Sequence, residues 1–310
     1  MTKLNNNIFS KPFVKWAGGK KQLLTQIESL IPSDFFQDSV TYIEPFVGGG
    51  AFLFYLLNKY PTIERAIIND INEDLITTYN IIKNKPLELI SFLKQIQYEF
   101  YKLDEFEKQK EYFLNKRQRF NTKGLDDIEN SAIFIFLNRT CFNGLYRVNS
   151  KGLFNVPFGK YTNPLICDEQ TLLEDSKLLQ KVEILNGDFS QTLDYLNNKT
   201  LFYLDPPYRP LTITSSFTSY SSERFDDNEQ KRLCEFCNLI NNNKQKFILS
   251  NSDPKNTNAN DNFFDELYSN FNINRIYAKR AINSKGSKRG DISELLIDNF
   301  NSNFGEFYNA

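Results

Sequence analysis

Residues 201–208 read Leu-Phe-Tyr-Leu-Asp-Pro-Pro-Tyr, four apolar residues followed by a carboxylate, two prolines and an aromatic ring. An apolar run without a polar break is typical of a strand that is buried on both faces of a mostly parallel sheet. The strand must end at Pro206, because proline lacks a backbone donor and keeps Asp205 in extended geometry. Ligands of open α/β sheets bind at the carboxyl edge of the strands. The stretch therefore predicts an α/β fold with its site around Asp205.

The same stretch offers a specific chemistry. The carboxylate of Asp205 and the carbonyl of Pro206 are two acceptors that could hold both hydrogens of one amino group, and Tyr208 adds a flat face for stacking. An amino group conjugated to a nucleobase is a poor nucleophile, and two acceptors would favour its reactive, pyramidal form. Asp-Pro also forms ordinary capped turns after buried strands. These residues alone do not decide between the two interpretations.

Composition limits the classes of protein. A chain of 310 residues with 40% apolar and 15% aromatic residues can form one large α/β domain with an insertion, or two smaller domains. No run approaches the roughly 18 to 20 apolar residues of a membrane span, and the amino terminus lacks a signal-peptide core, so an intracellular protein is expected. The four cysteines are too few for a disulfide scaffold. Cys234 and Cys237 have the spacing of helix core residues.

The chain contains no histidine. This excludes histidine-based catalytic triads, histidine-ligated metals and the commonest general base, and we expect no metal site. Asp205 must therefore act without an imidazole.

Basic residues are unevenly distributed, although the net charge is only −1. Residues 1–27, 130–167 and 267–290 contain no acidic residue. If these segments converge in space, they form a basic groove on an otherwise acidic body, which suits binding to phosphates. The segments include Lys11, Lys15, Arg139, Arg147, Arg275, Lys285, Lys288 and Arg289.

A second motif lies at residues 42–50, where a short strand runs into Gly48-Gly49-Gly50. A dinucleotide-binding turn would need glycine at Leu53, so a pyrophosphate is not specifically expected. A further strand over residues 65–69 ends in Asp70, and an acid in this position is the usual partner of the ribose hydroxyls of a bound nucleoside. Glycine turn and strand-end acid together predict a nucleoside site.

Residues 84–138 have a polar, helical pattern, with Leu87, Ile90, Leu93 and Ile96 as the predicted buried stripe. We interpret the region as a helical lobe inserted into the sheet. The basic and aromatic segment 138–152 follows, and it suits a hairpin pressed against nucleic acid. The sheet is predicted to resume with strands over residues 182–185 and 247–250, and with a closing antiparallel pair over residues 272–277 and 293–300. Residues 210–227 are expected to form a loop over the substrate.

Five motifs in this order resemble the Dam-type DNA adenine methyltransferases. They are Lys15–Lys20 (KWAGGK), Glu44–Gly50 (EPFVGGG), Asn69–Asn72 (NDIN), Phe142–Arg147 (FNGLYR) and Asp205–Tyr208 (DPPY). The resemblance runs from about Pro12 to Phe300. It implies a Rossmann-like, S-adenosylmethionine-dependent catalytic domain, formed by residues 1–83 and 181–310, with an inserted helical target-recognition domain at 84–180 that carries the basic hairpin.

The resemblance also assigns roles to residues. Asp205, Pro206, Pro207 and Tyr208 would hold a flipped adenine, because such chemistry requires the base outside the stack. The implied contacts to S-adenosylmethionine are Trp16, Lys20, Phe46, Gly48, Asp70, Asp188, Phe189 and Asp205, with Asp188 and Phe189 beside its adenine.

Sequence reading in relatives that act on GATC involves the segments that match 142–147 and 155–159. This chain has Phe142 where some relatives have tyrosine, and Tyr146 where some have cysteine. Neither change removes a donor to a base edge, so GATC is the expected site. The implied DNA-recognition residues are Lys15, Phe142, Asn143, Leu145, Arg147 and Pro157, and Lys285, Lys288 and Arg289 are expected to contact phosphates.

The expected partner is double-stranded DNA. A cognate restriction endonuclease that acts on the same site is the second candidate partner, and no stable complex with it is implied. Two alternatives remain open. The amino-group chemistry also fits cytosine or RNA, and a chain with this fold could bind DNA without turnover. The sequence does not decide between protection from a nuclease and a role in repair or regulation.

Overall fold

A computed structural model describes residues 10–16, 22–209, 225–278 and 292–300. Its central feature is a mixed sheet flanked by helices. The strands within the described residues are β1 (Val40–Glu44), β2 (Ile63–Asp70), β3 (Val182–Asn186), β4 (Thr200–Leu204), β5 (Lys246–Ser252), β6 (Asn272–Ala278) and β7 (Ile292–Asp298).

The strand order is β3-β2-β1-β4-β5-β7-β6. Neighbouring strands from β3 to β5 are parallel, and β7 pairs antiparallel with both β5 and β6. The mostly parallel sheet and its closing antiparallel pair are thus confirmed. The strands β2 and β3 follow β1 on one side of it, and β4 and β5 follow on its other side, so the strand order reverses between β1 and β4. In such sheets a crevice opens at this point, at the carboxyl ends of the strands.

The central position of β4 explains its uninterrupted apolar sequence. All five of its residues are buried. Because side chains alternate across a strand, Leu201 and Tyr203 enter one apolar core, whereas Phe202 and Leu204 enter a second core on the opposite face. Helices cover both faces, so neither set of side chains meets water.

The helices carry the chain between strands and over both faces. Their bounds are α1 (Leu24–Glu28), α2 (Ala51–Lys59), α3 (Glu73–Asn84), α4 (Pro86–Tyr101), α5 (Phe106–Asn121), α6 (Asp127–Thr140), α7 (Glu169–Leu179), α8 (Asp227–Asn242) and α9 (Phe263–Leu267). Helices α3 to α7 lie between β2 and β3 in sequence, so a helical segment does interrupt the sheet. The domain boundaries at residues 84 and 180 stay a prediction. In the described part of the chain, no helix combines the length and apolarity that crossing a membrane requires.

The buried face of α4 differs from the predicted stripe at one position. Ile90, Leu93 and Ile96 are buried as expected, but Leu87 is 66% exposed. On a helix of 3.6 residues per turn, residues three apart fall short of a full turn by about 60°. A series of positions spaced by three residues therefore drifts around the helix and leaves the buried face. Leu89, which lies four residues before Leu93, occupies the core instead.

The segment after α6 forms an irregular hairpin. Antiparallel bridges join Val148 to Phe154 and Cys141 to Phe158. The backbone N–H of Gly152 donates to the carbonyl of Asn149 across the turn, at 2.9 Å. Residues 138–140, predicted to belong to this segment, instead complete the last turn of α6. The helix-core interpretation of Cys234 and Cys237 agrees with their burial on α8.

Asp175 on α7 is a fully buried carboxyl group. Burial raises its pKa to about 8, because the charged form would lose its contact with water. The pKa of an aspartate in an unfolded chain is about 3.9. Between these two values the folded chain retains a proton that the unfolded chain has lost, so this group stabilises the fold at low pH and loses that contribution as pH rises.

We therefore expect Asp175→Asn to become the more stable protein as pH increases. Between pH 6 and pH 7, the free energy of unfolding of the wild type should fall relative to the variant by about 1.4 kcal/mol, the value for one proton per pH unit. Urea unfolding of both proteins at pH 5, 6, 7 and 8 measures this difference. Parallel stability curves would show that Asp175 is ionised in the folded chain.

Candidate active site

Three acidic residues lie at the carboxyl edge of the sheet. Glu44 and Asp70 end the paired strands β1 and β2, and Asp205 directly follows β4, which pairs with β1 on its other side. Glu44 is 2% exposed and accepts a hydrogen bond from the Tyr42 hydroxyl at 2.8 Å. Burial raises the pKa of Glu44 well above its usual range, and the charge of Asp205 adds to the rise. Sequence reasoning quoted Glu44 within a motif but gave it no role.

The glycine turn after β1 is held by Asp70. The backbone N–H of Gly48 donates to one carboxylate oxygen at 3.0 Å, and the N–H of Asn72 donates to the other at 2.9 Å. Gly48 has φ of +48°, and a Cβ there would lie 2.7 Å from Cδ1 of Trp16, so the indole packs directly on the turn. The structure thus brings together Trp16, Gly48 and Asp70, which the sequence placed in one site.

Asn69 connects β2 to the turn after β1, the turn after β3 and the 3-10 helix Phe189–Tyr195, and sequence reasoning missed its role. Its side-chain amide donates to the carbonyls of Pro45 and Gly187, both at 3.0 Å. Its side-chain oxygen accepts from Gln191 at 2.8 Å. The residue is 1% exposed. A polar residue at the end of a buried strand was the available signal, because a buried amide needs several partners.

An aromatic cluster lies beside the glycine turn. The ring of Phe46 is 5.2 Å from Phe189 and 5.8 Å from Phe225, measured between centroids. Asp188 caps the short 3-10 helix Phe189–Tyr195 and forms a two-pronged ion pair with Arg232, at 2.9 and 2.7 Å. The hydrogen bonds from Arg232 hold the pKa of Asp188 well below its usual range.

The loop after β4 is fixed by contacts from several elements. Asp205 is half-buried, Pro206 is buried and Pro207 is exposed. Gln230 of α8 donates to the carbonyl of Pro207 at 3.3 Å, and the Tyr208 hydroxyl donates to Glu294 of β7 at 3.1 Å. These contacts set the backbone that carries the carboxylate.

Arg209 completes the anchoring of this loop. It binds Asp227 through two nitrogens, at 2.7 and 3.0 Å, and Asp261 at 2.8 Å. Its guanidinium lies 4.2 Å from the centre of the Phe263 ring. Arg209 and Gln230 gave no signal in the sequence, because their partners are distant along the chain.

Comparison with known proteins identifies the family. Residues 16–282 match the family model described as D12 class N6 adenine-specific DNA methyltransferase. The chain belongs to this family. It is 51% identical to the type II methyltransferase M.MjaIII of Methanocaldococcus jannaschii, over 94% of this chain and 99% of the relative. It is 37% identical to the type II methyltransferase M1.LlaDCHI of Lactococcus lactis (95% and 97%) and 35% identical to the DNA adenine methylase of Haemophilus influenzae (92% of each).

The methyltransferase presents several of its predicted DNA-recognition residues together. Phe142 is 53% exposed, and its N–H donates to the carbonyl of the exposed Pro157 at 2.9 Å. Asn143 is exposed and has φ of +56°. Lys15, from the amino-terminal segment, packs against the same loop: a Cβ on Gly144 would lie 2.5 Å from its side chain. Two of the three basic segments therefore meet at this loop.

Arg147 is held within the hairpin rather than fully extended into solvent. Its Nε donates to the side-chain oxygen of Asn155 at 2.7 Å, and the residue is half-buried. Leu145 is also half-buried. The contact with Asn155 fixes the plane of the guanidinium before any ligand arrives.

Other basic residues of the predicted groove serve internal contacts. Lys11 pairs with Asp168 at 3.1 Å, and Arg275 pairs with Asp253 and Asp265 at 3.0 and 2.8 Å. Arg139 is half-buried and donates to the carbonyl of Phe13 at 2.7 Å. These residues are therefore held by groups of the chain itself, so not every charge of the three segments is directed at a ligand. Lys20, Lys285, Lys288 and Arg289, and most of the predicted substrate loop, lie outside the described residues.

Proposed function

We propose that this methyltransferase transfers a methyl group from S-adenosylmethionine to the exocyclic amino group of an adenine that is flipped out of double-stranded DNA, within the sequence GATC. The observation that carries the proposal is the position of Asp205-Pro206-Pro207-Tyr208 at the end of β4, next to the glycine turn that Asp70 holds. Residues 1–83 and 181–310 form the catalytic domain, and residues 84–180 form the target-recognition domain.

The residues at the sheet edge fit S-adenosylmethionine. Asp70 uses each carboxylate oxygen for one backbone N–H, and a carboxylate has capacity for about four hydrogen bonds, so it can also accept from ribose hydroxyls. The half-buried ring of Phe46 offers an apolar face to an adenine, the buried ring of Phe189 packs against it, and Trp16 covers the glycine turn. When bound, S-adenosylmethionine supplies an electrophilic methyl group.

Asp205 acts on the amino group of the target base. The lone pair of that nitrogen is delocalised into the ring, and acceptance of its hydrogens by the Asp205 carboxylate and the Pro206 carbonyl returns the pair to the nitrogen. This interaction strengthens as positive charge develops on nitrogen, so it stabilises the transition state more than the ground state. Tyr208 stacks on the flipped base, with its hydroxyl anchored on Glu294.

The exposed loop at Phe142, Asn143 and Pro157 is the surface that we assign to DNA. An exposed aromatic ring on a basic surface suits contact with unstacked bases next to the flipped one. The name type II methyltransferase, given to two of the relatives, supports a role in protecting sites from a nuclease that cuts the same sequence.

Incubation of unmethylated DNA with S-adenosylmethionine tests the proposal. We expect the product to resist a GATC nuclease that is blocked by adenine methylation, to remain sensitive to one that tolerates it, and to contain N6-methyladenine by mass analysis of its nucleosides. Methylcytosine, or a preference for RNA, would establish the amino-methyltransferase alternative. Absence of any methylated nucleoside would overturn the proposal.

Arg147→Ala is expected to relax specificity at one base pair. A guanidinium whose plane is fixed by Asn155 can donate two parallel hydrogen bonds to a guanine edge in the major groove. Its loss should cost about 1 to 3 kcal/mol on GATC and much less on sites already altered at that base pair. Methylation rates on GATC and on each single-base variant, at several salt concentrations, measure the effect.

Lys151→Ala is the matched control, because Lys151 is an exposed cation in the turn of the same hairpin. Its removal should affect all DNA sites alike. Should Arg147→Ala also lower the rates on all sites equally, Arg147 would be a phosphate contact, and Asn143, Leu145 and Pro157 would be the next candidates for base reading.

A further inference from the structure

Tyr146 lies between the surface assigned to DNA and the pocket assigned to the cofactor. We call residues 142–147 the recognition loop. Tyr146 belongs to this loop, directly before Arg147, yet the residue is only 7% exposed. Its ring stacks on Trp16, with centroids 5.6 Å apart and planes 22° from parallel. Trp16 in turn packs on Gly48, the residue whose N–H binds Asp70. One continuous stack therefore joins the recognition loop to the glycine turn.

The hydroxyl of Tyr146 makes a second connection to the same pocket. It donates to the carboxylate of Asp74 at 3.2 Å. Asp74 lies in the first turn of α3, four residues after Asp70. The same carboxylate accepts from Lys123 and Asn130, each at 3.1 Å, which belong to the helical segment between β2 and β3. Asp74 is thus where the recognition loop, the helical segment and the helix that follows Asp70 meet.

Asn138 holds together the two segments of the chain that carry this stack, one ending at Trp16 and the other at Tyr146. Its side-chain oxygen accepts from the Lys15 N–H at 2.8 Å, and its amide donates to the carbonyls of Lys15 and Gly144, at 2.7 and 3.0 Å. The side chain is 3% exposed, and its three partners come from the segment before Trp16 and the segment before Tyr146. One buried amide therefore holds the backbone before Trp16 and the backbone before Tyr146 to each other.

We propose that Tyr146 is a positioning residue that couples occupancy of the cofactor pocket to recognition of DNA. The inference rests on the proposed function, since it takes Trp16, Gly48 and Asp70 to be the cofactor pocket. A ligand that orders Trp16 and the glycine turn also sets Tyr146, and with it the adjacent Arg147. Cofactor and cognate DNA then each raise the affinity for the other by the same factor, as linkage requires.

Binding measurements test this coupling directly. The dissociation constant of a duplex with one GATC site is measured with and without saturating S-adenosylhomocysteine, which cannot react. The ratio of the two constants is the coupling factor, and couplings of this kind are typically about 5- to 150-fold. We expect Tyr146→Leu and Trp16→Leu each to bring the factor close to one, the double variant to lower it no further, and Tyr146→Phe to give an intermediate factor.

Tyr112→Phe is the matched control. Tyr112 is a tyrosine of the helical segment whose hydroxyl also donates to a carboxylate, that of Glu99 at 2.7 Å, and it makes none of the contacts described for Tyr146. It should keep the wild-type factor. Thermal unfolding of each variant identifies any variant that fails to fold. If a leucine variant fails, the comparison of the coupling factors of Tyr146→Phe and Tyr112→Phe decides.

Two results would overturn the inference while the proposed function stands: a wild type that methylates GATC but has a coupling factor of one, or Tyr146 variants whose factor equals that of Tyr112→Phe. A wild type that neither binds S-adenosylhomocysteine nor methylates DNA would instead contradict the proposed function itself.

Discussion

Asp205→Ala is expected to reduce the rate of methyl transfer by about a hundredfold to a thousandfold at saturating S-adenosylmethionine and DNA. In the proposed mechanism the variant loses one of two acceptors at the nitrogen where positive charge develops, and such a group is worth roughly 3 to 4 kcal/mol in the transition state. Single-turnover rates on a GATC duplex measure the loss. DNA binding should largely persist, because the recognition loop belongs to another part of the chain.

Asp194→Ala is the control for Asp205→Ala. Asp194 is an exposed aspartate in the 3-10 helix that follows β3, and its removal changes the charge of the protein by the same amount. Its rate should match that of the wild type. If Asp205→Ala kept more than about a tenth of the wild-type rate, the carboxylate would serve the fold of the loop rather than the reaction.

Asp70→Ala is expected to weaken the binding of S-adenosylmethionine rather than to slow the reaction at saturation. The variant loses the two backbone hydrogen bonds that hold Gly48 and Asn72 and, in the proposed function, the acceptor for ribose hydroxyls. Losing hydrogen bonds to a charged group should cost about 2 to 3 kcal/mol, which is about a 30- to 150-fold higher dissociation constant. Calorimetric titration with S-adenosylhomocysteine gives the affinity, and rates at high cofactor concentration should recover most of the wild-type value.

Asp226→Ala separates this effect from a general loss of stability. Asp226 also accepts hydrogen bonds from two backbone N–H groups, those of Asn228 and Glu229, but it does so at the start of α8. Both variants should unfold more easily than the wild type, and only Asp70→Ala should lose cofactor affinity. A drop in rate that excess cofactor does not restore would assign Asp70 to the folding of the glycine turn alone.

The organisation of the sheet was largely predictable from local sequence. The apolar run before Asp205 was expected to be a buried parallel strand, and β4 lies at the centre of the sheet. The strand-end acid and the glycine turn were expected to share a site, and a hydrogen bond joins them. These predictions succeeded because a strand buried on both faces, a proline stop and a glycine turn are each specified by neighbouring residues.

The helical segment was less predictable. Leu87 was assigned to the buried face of α4 and is exposed, because the orientation of a helix about its axis depends on what it packs against. Likewise, the roles of Arg139 and Arg275 could not be read from the basic segments. Phe13 is 126 residues away from Arg139, and the pairing of Arg275 with Asp253 and Asp265, 22 and 10 residues before it, depends on how the chain folds back.

The sequence by itself determined the class of fold, the order of the motifs and the chemical groups at the carboxyl edge of the sheet. Only the tertiary structure decided which charges remain at the surface, and which residues connect one motif to another. Asn138, Asp74 and Tyr146 form such connections across long separations in the chain. The physical reason is that a buried polar group requires partners but does not specify where along the chain they lie, and packing alone supplies them.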